Sequence, residues 1–191
     1  HIKNSMPNLL TIDMAGVDMK IMPNDMFYER KALLGIILPK NVEEIGSKSF
    51  TRCINLENIV LPEGLKRIDD SYESYSNYGA FYGCTSLKSV TSPSTLEYIG
   101  DYAFSQCTSL KKIEMKSGLS SIGQHAFAYC NRLKEVILPN TLTNCDGGAF
   151  RGCTALEEIT LPKGLKQLGY EYESSNDNMW DYERGVFSGC A

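Results

Sequence analysis

The sequence predicts an α/β repeat fold: a right-handed solenoid of 23-residue units, with parallel strands on the concave face and short helical turns opposite. Three observations predict it. A dipeptide ending in phenylalanine recurs at Ser49-Phe50, Ala80-Phe81, Ala103-Phe104, Ala126-Phe127, Ala149-Phe150 and Val186-Phe187. A cysteine follows each phenylalanine by three positions, at Cys53, Cys84, Cys107, Cys130, Cys153 and Cys190. From Cys84 to Cys153 the cysteines step by 23 residues each time, and a fixed period of that size marks a stacked-repeat architecture.

The unit from Leu87 to Cys107 shows the order of parts: Leu87, Val90, Pro93, Leu96, Ile99-Gly100, Ala103-Phe104, Cys107. Leu56, Ile59 and Leu61 recur as Leu156, Ile159 and Leu161, which matches the leading half of the leucine-rich-repeat pattern. One such unit cannot bury its own apolar side. Stacked units share a core, and each residue type becomes a ladder along the stack. In the strand, two-residue alternation points Ile59 and Leu61 inward and Asn58 and Val60 outward. Pro62 ends the strand, where its missing N–H does least harm, and Pro39, Pro93, Pro139 and Pro162 repeat the device, with Lys116 the exception. Gly46, Gly100, Gly123 and Gly169 follow the inward Ile or Leu and read as left-handed turns. Asp69 and Asp146 hold the same slot, and Asp tolerates that conformation. The residue before each Phe is mostly Ala, as expected where a short helical turn packs closely. The Phe ladder fills the centre.

Residues 1–35 read as a degenerate N-terminal capping repeat. Met22, Phe27 and Leu33 each lie 23 positions before Ile45, Phe50 and Leu56, and Arg30 takes the cysteine slot. Residues 36–191 read as six repeats with insertions at 69–79 and 170–185. The steps of 31 and 37 residues between cysteines carry those insertions. Cys190-Ala191 stop partway through a repeat. The expectation is a longer parent chain, or an uncapped end covered by a partner, self-association included.

Composition narrows the function classes. The chain has 191 residues, 42% of them hydrophobic, enough for one continuous core. Nineteen basic and 23 acidic residues leave a formal charge of −4, which argues against nucleic acid as a partner. There is no apolar run long enough to span a membrane. Neither a signal nor an anchor is visible, and that says little about secretion.

The unit Leu-x-x-Ile-x-Leu-Pro-x-x-Leu-x-x-Ile-Gly-x-x-Ala-Phe-x-x-Cys resembles the BspA-like leucine-rich repeats, over residues 36 to 191 and loosely over 12 to 35. The resemblance implies a cell-surface or extracellular solenoid, of a kind found in host-associated bacteria and some protists. Members are often adhesins or surface proteins that engage host matrix or other cells. The family supplies no catalytic motif to carry over. The chain departs from the pattern at Cys145, which takes an Ile slot, and at the two insertions.

Candidate chemistry is sparse. The seven cysteines read as a column of buried thiols behaving as small hydrophobes, because ladder side chains run parallel and do not aim at one another. No Cys-x-x-Cys pair or nearby histidine points to zinc, and neither a metal nor a cofactor is expected. His1 is terminal, and His125 lies at a variable position read as exposed. No nucleophile has a histidine partner suggested by the repeat geometry, so an enzyme is not expected.

Three surfaces remain as candidate binding sites. The concave strand face presents Asn58, Val60, Thr91, Lys112, Glu114, Glu135, Ile137 and Thr160, a mixed set without an aromatic strip, which suits a protein partner. Lys88, Lys111 and Lys134 form a column flanked by Glu57 and Glu157. It could attract a sulfated glycan or acidic peptide, although the ordinary reading of such a column is a solvated face. The insertions carry Tyr72, Tyr75 and Tyr78, then Tyr170, Tyr172, Trp180 and Tyr182. Both leave the repeat at the same place, so they project from one edge, and loops of this kind often mark the binding face. Tyr and Trp offer large amphipathic contact area, or they fold back on the solenoid edge. The expected function is a secreted or cell-surface module for adhesion to proteins on a host or neighbouring cell. A carbohydrate-binding module using the loop aromatics and an architectural spacer are the rivals.

Overall fold

The structure is a computed structural model in which residues 10–69, 78–169 and 185–190 are described. Each coil contributes short strands to two columns. The first column holds β1 (Thr11–Asp13), β3 (Gly35–Ile37), β5 (Asn58–Ile59), β7 (Ser89–Thr91), β9 (Lys112–Glu114) and β11 (Glu135–Ile137). The second holds β2 (Ile21–Met22), β4 (Glu44–Ile45), β6 (Arg67–Ile68), β8 (Tyr98–Ile99), β10 (Ser121–Ile122), β12 (Asn144–Cys145) and β13 (Gln167–Leu168). All pairing is parallel. The second column is one seven-stranded sheet, whereas the first divides into β1-β3-β5 and β7-β9-β11. Across that division Lys88 N–H still donates to the Glu57 carbonyl at 3.1 Å. The result is a parallel-strand β-solenoid of about seven turns.

Register follows the sequence ladder. Ile122 pairs with Cys145 and Ile99 with Ile122, both 23 residues apart, while Ile68 pairs with Ile99 across 31. The register of the core therefore continues across the first insertion. Asp69 N–H bonds the Ile45 carbonyl (2.9 Å) before it, and Phe50 N–H bonds the Ala80 carbonyl (2.7 Å) after it. The second does likewise: Gly169 N–H bonds the Cys145 carbonyl (2.7 Å), and Phe150 N–H the Val186 carbonyl (2.9 Å).

The Ala-Phe segments depart from expectation. They were expected as short helical turns, yet no helix occurs among the described residues. A helix turns its N–H groups back on its own carbonyls four residues earlier. Here alternate N–H groups point along the stack instead: Tyr102, Phe104 and Gln106 donate to the Gln124, Ala126 and Ala128 carbonyls, at 2.8, 2.7 and 2.8 Å. Left-handed residues two before and two after the Phe accompany this alternation in most coils, as at Tyr102 and Gln106 (φ 54° and 60°) and His125 and Tyr129 (φ 53° and 60°). The α/β class is thus corrected to a coil of strands and hydrogen-bonded turns.

The glycine slots are corrected too. Of Gly46, Gly100, Gly123 and Gly169, only Gly169 has a left-handed backbone, at φ 81°. Gly46 and Gly123 answer a different need. A Cβ on Gly46 would lie 2.6 Å from the Met22 carbonyl oxygen, and one on Gly123 would lie 2.8 Å from the Asp101 nitrogen. Neighbouring coils approach too closely there for any side chain.

The core runs the length of the stack. Phe27, Phe50, Phe81, Phe104 and Phe127 are fully buried, with successive ring centroids 5.3, 4.9, 4.9 and 5.3 Å apart. Phe150 and Phe187 extend the ladder at 5.5 and 5.7 Å. Beside it runs a thiol ladder with a recurring hydrogen bond. The sulfurs of Cys53, Cys84, Cys107, Cys130, Cys153 and Cys190 donate to the carbonyls of Phe27, Phe50, Phe81, Phe104, Phe127 and Phe150, at 3.1 to 3.3 Å. The thiol is therefore a core filler that also satisfies a backbone oxygen of the coil before it. All seven cysteines are free.

Candidate functional site

The outward side chains of the first column lie in rows. β7, β9 and β11 place Ser89, Lys112 and Glu135 in one row and Thr91, Glu114 and Ile137 in the next. Asn58 joins the first row through β5, and Ile37 and Val60 stand at the head of the second. Of the sequence-predicted face residues, seven lie on this sheet or at its strand ends. Thr160 is exposed beyond β11, in a segment without strand structure. Lys112 organises the charged part, with its Nζ 2.7 Å from Glu135 and 3.8 Å from Glu114. The hydrogen bond that Lys112 donates to Glu135 raises the Lys112 pKa, so the ammonium stays charged. The apolar part is Ile37, 56% exposed, and Val60, 79% exposed. Outward-facing β-branched residues at that exposure do nothing for the core.

Of the insertion aromatics, Tyr72, Tyr75, Tyr170, Tyr172, Trp180 and Tyr182 lie outside the described residues. Tyr78 is described, and it is half-buried rather than free. Its ring lies 4.6 Å from that of Tyr82, the Arg52 guanidinium sits 5.3 Å from its centroid, and Arg52 Nη2 donates to its hydroxyl at 3.4 Å. Arg52 is in turn held by Glu29 at 2.9 Å.

The turn edge carries an aromatic strip that the sequence reading missed. Five of the six described tyrosines lie on it: Tyr28, Tyr78, Tyr82, Tyr102 and Tyr129. The Tyr102 and His125 rings lie 5.0 Å apart at a tilt of 32°, and the Arg151 guanidinium stands 5.7 Å from the Tyr129 ring centre. Burial raises the Tyr82 and Tyr102 hydroxyl pKa values. His125, expected to be exposed, is half-buried; burial and then the Arg151 charge push its pKa down. The available signal was the recurrence of Tyr or His within three positions of the ladder Phe.

The thiols offer little chemistry. Burial raises the pKa of Cys53, Cys145 and Cys153 to about 12, and that of Cys84, Cys107 and Cys130 well above the ordinary thiol value. A thiol held protonated is a poor nucleophile and a poor metal ligand. Among the described residues no group of His, Cys, Asp and Glu could hold a metal ion.

Residues 20–78 and 74–179 match, in six copies, the family described as a BspA type leucine rich repeat region. Among solved structures the chain is similar to a leucine-rich repeat protein from Bacteroides ovatus, at 25% identity and a TM-score of 0.58, over 84% of this chain and 48% of that one. It is similar to the T. pallidum leucine rich repeat protein at 25% identity and a TM-score of 0.56, over 78% of each chain. A leucine rich cell surface protein from Faecalibacterium prausnitzii shares the fold at 20% identity and a TM-score of 0.50, over 87% of this chain and 60% of that one. The chain spans about half the length of the Bacteroides protein. A search of curated proteins finds no match. With the family's repeat running from residue 20 to 179 on a parallel-strand solenoid, the chain belongs to the BspA-type leucine-rich repeat family.

Proposed function

We propose that this chain is a non-enzymatic binding module of a cell-surface or secreted protein, and that it adheres to a protein partner through the outward face of the first strand column. One observation carries the reading: Ile37 and Val60 stand exposed side by side, on the same face as the charged cluster of Lys112, Glu114 and Glu135 beyond β7. An apolar anchor beside a polar rim is how protein interfaces concentrate their affinity. Asn58, Thr91, Ile137 and Thr160 continue the surface and complete the contact. The surface location rests on the family and on a structural neighbour described as a cell surface protein.

A second reading is carbohydrate recognition by aromatics. The turn-edge strip of Tyr78, Tyr82, Tyr102 and Tyr129 favours it, because both insertions rejoin the solenoid on that edge. In this reading Tyr72, Tyr75, Tyr170, Tyr172, Trp180 and Tyr182 would extend the strip.

The test is a binding screen of the chain against host matrix proteins and a glycan array. Two variants run beside it: Ile37→Lys with Val60→Lys, and a chain with both insertions cut back to the repeat. A protein hit lost in the double-lysine variant supports the strand-face reading. A glycan hit lost only in the trimmed chain supports the aromatic reading. No hit for the intact chain overturns both and favours a spacer.

A further inference from the structure

The surface between the second and third coils of the lysine column holds a recess of about 430 Å³, lined by Lys111, Arg132, Lys134 and Ala155. Three of its four lining residues are cationic, in a chain whose formal charge is −4. Neighbouring cations on the same surface are paired. Lys88, the preceding member of the same column, is bonded to Glu57 at 2.5 Å, and Lys112, one residue from the recess, is bonded to Glu135. Lys111, Arg132 and Lys134 have no ion pair among the described residues, and Glu157, next along the column from Lys134, forms none with it.

The recess has a local cause. Residue 155 occupies the slot that Arg132 holds one coil earlier, and there it is alanine. The missing side chain opens a floor beside the guanidinium, while Lys111 and Lys134 stand one coil apart along the rim. Strand spacing holds such neighbours about 4.8 Å apart at the backbone. The rim N–H groups are used within the stack: Lys111 N–H bonds the Lys88 carbonyl at 2.9 Å, and Lys134 N–H bonds the Lys111 carbonyl at 3.0 Å. An anion laid here would find the Lys111 and Lys134 N–H groups already taken. It would find only side-chain cations in a shallow trough.

We propose that this recess is a binding site for a sulfated linear polysaccharide. The guanidinium of Arg132 would take one sulfate in a bidentate manner, and Lys111 and Lys134 would act as point charges on its neighbours. The site is separate from the Ile37–Val60 surface of the proposed protein contact, and the two readings succeed or fail independently.

The test uses the whole chain and two probes, heparin and chemically desulfated heparin, with binding measured across a series of salt concentrations. The proposal expects heparin to bind, desulfated heparin not to bind, and affinity to fall steeply with salt as counterions are recaptured. The triple variant Lys111→Ala, Arg132→Ala, Lys134→Ala should lose roughly tenfold or more in affinity and show a shallower salt slope. Ala155→Glu, which fills the floor with an opposing charge, should weaken binding as well. Lys88→Ala should change it by less than about twofold, since that cation is already paired. Ile37→Lys with Val60→Lys should leave it intact, which separates this site from the strand-face reading. Circular dichroism of each variant checks that the fold is retained. Failure of the wild-type chain to bind heparin overturns the proposal. So does equal binding by the triple variant, or equal capture of an acidic peptide such as polyglutamate by the same residues.

Discussion

The sulfur of Cys107 donates to the backbone carbonyl of Phe81, 3.3 Å away in the preceding coil. The same bond joins Cys130 to Phe104 and Cys153 to Phe127, each at 3.3 Å. From Cys53 to Cys153, each coil is thus fastened to the one before it by a thiol that the core keeps dry. Cys190 is the one cysteine that is only partly buried. In the native protein Cys190 should react first with a thiol reagent, and the six buried cysteines only on addition of denaturant. Rapid native-state labelling of Cys107, read by peptide mass, would show this ladder to be open.

Alkaline pH should destabilise the fold through the same groups. Burial raises the Cys53, Cys145 and Cys153 pKa values from 9.0 to about 12. Between those values the unfolded chain has released these protons and the folded chain has kept them, so stability falls as pH rises. Denaturant midpoints measured from pH 8 upward should decline once pH passes about 9. A flat profile would contradict the burial of the thiols.

His125 should act at the other end of the scale. Its pKa is lowered in the fold, first by burial and then by the Arg151 charge. The unfolded chain then binds its proton first as pH falls below 6.5, so the His125 contribution is present above that value and is lost as pH drops through the folded pKa. His125→Asn tolerates the left-handed backbone and removes the titration. Thermal midpoints of the variant should depend less on pH between about 7 and 5 than those of the parent.

Glycine substitutions should separate close approach from mere loop position. Gly123→Ala should cost about 1–3 kcal/mol, since its Cβ would meet Asp101 N at 2.8 Å and Gly100 C at 2.9 Å. Gly16→Ala, with nothing within 4 Å, should fall within about 0.5 kcal/mol of the parent. Urea unfolding of the two variants makes the comparison.

The phenylalanine ladder should be most sensitive at its middle. Phe104 has rings on both sides, at 4.9 and 5.3 Å, and is fully buried. Phe104→Ala should destabilise by about 3–5 kcal/mol. Phe187, stacked on Phe150 at 5.7 Å and only partly buried, should cost clearly less on the same change. Equal losses would mean that the ladder does not carry the cooperativity between coils.

The sequence by itself determined the period, the stacking of like on like and the identity of the core. Those follow from repetition: a unit that recurs every 23 residues with the same apolar slots has one economical way to bury them. Phe50, Cys53, Leu56 and Ile59 lie where the pattern placed them, and Phe27 extends the ladder into the degenerate first copy. Only the tertiary structure decided what the Ala-Phe segments are. Apolar spacing over five or six residues suits a helical turn as well as a pair of left-handed corners, and the choice is made by N–H groups that reach the next coil, as from Phe104 to Ala126. The same holds for the surfaces. Tyr102 meets His125, and Arg132 opens beside Ala155, only because the stack sets residues 23 apart in sequence side by side in space. Reading inward slots needs only the period, whereas reading a binding surface needs the side chains that several coils bring together.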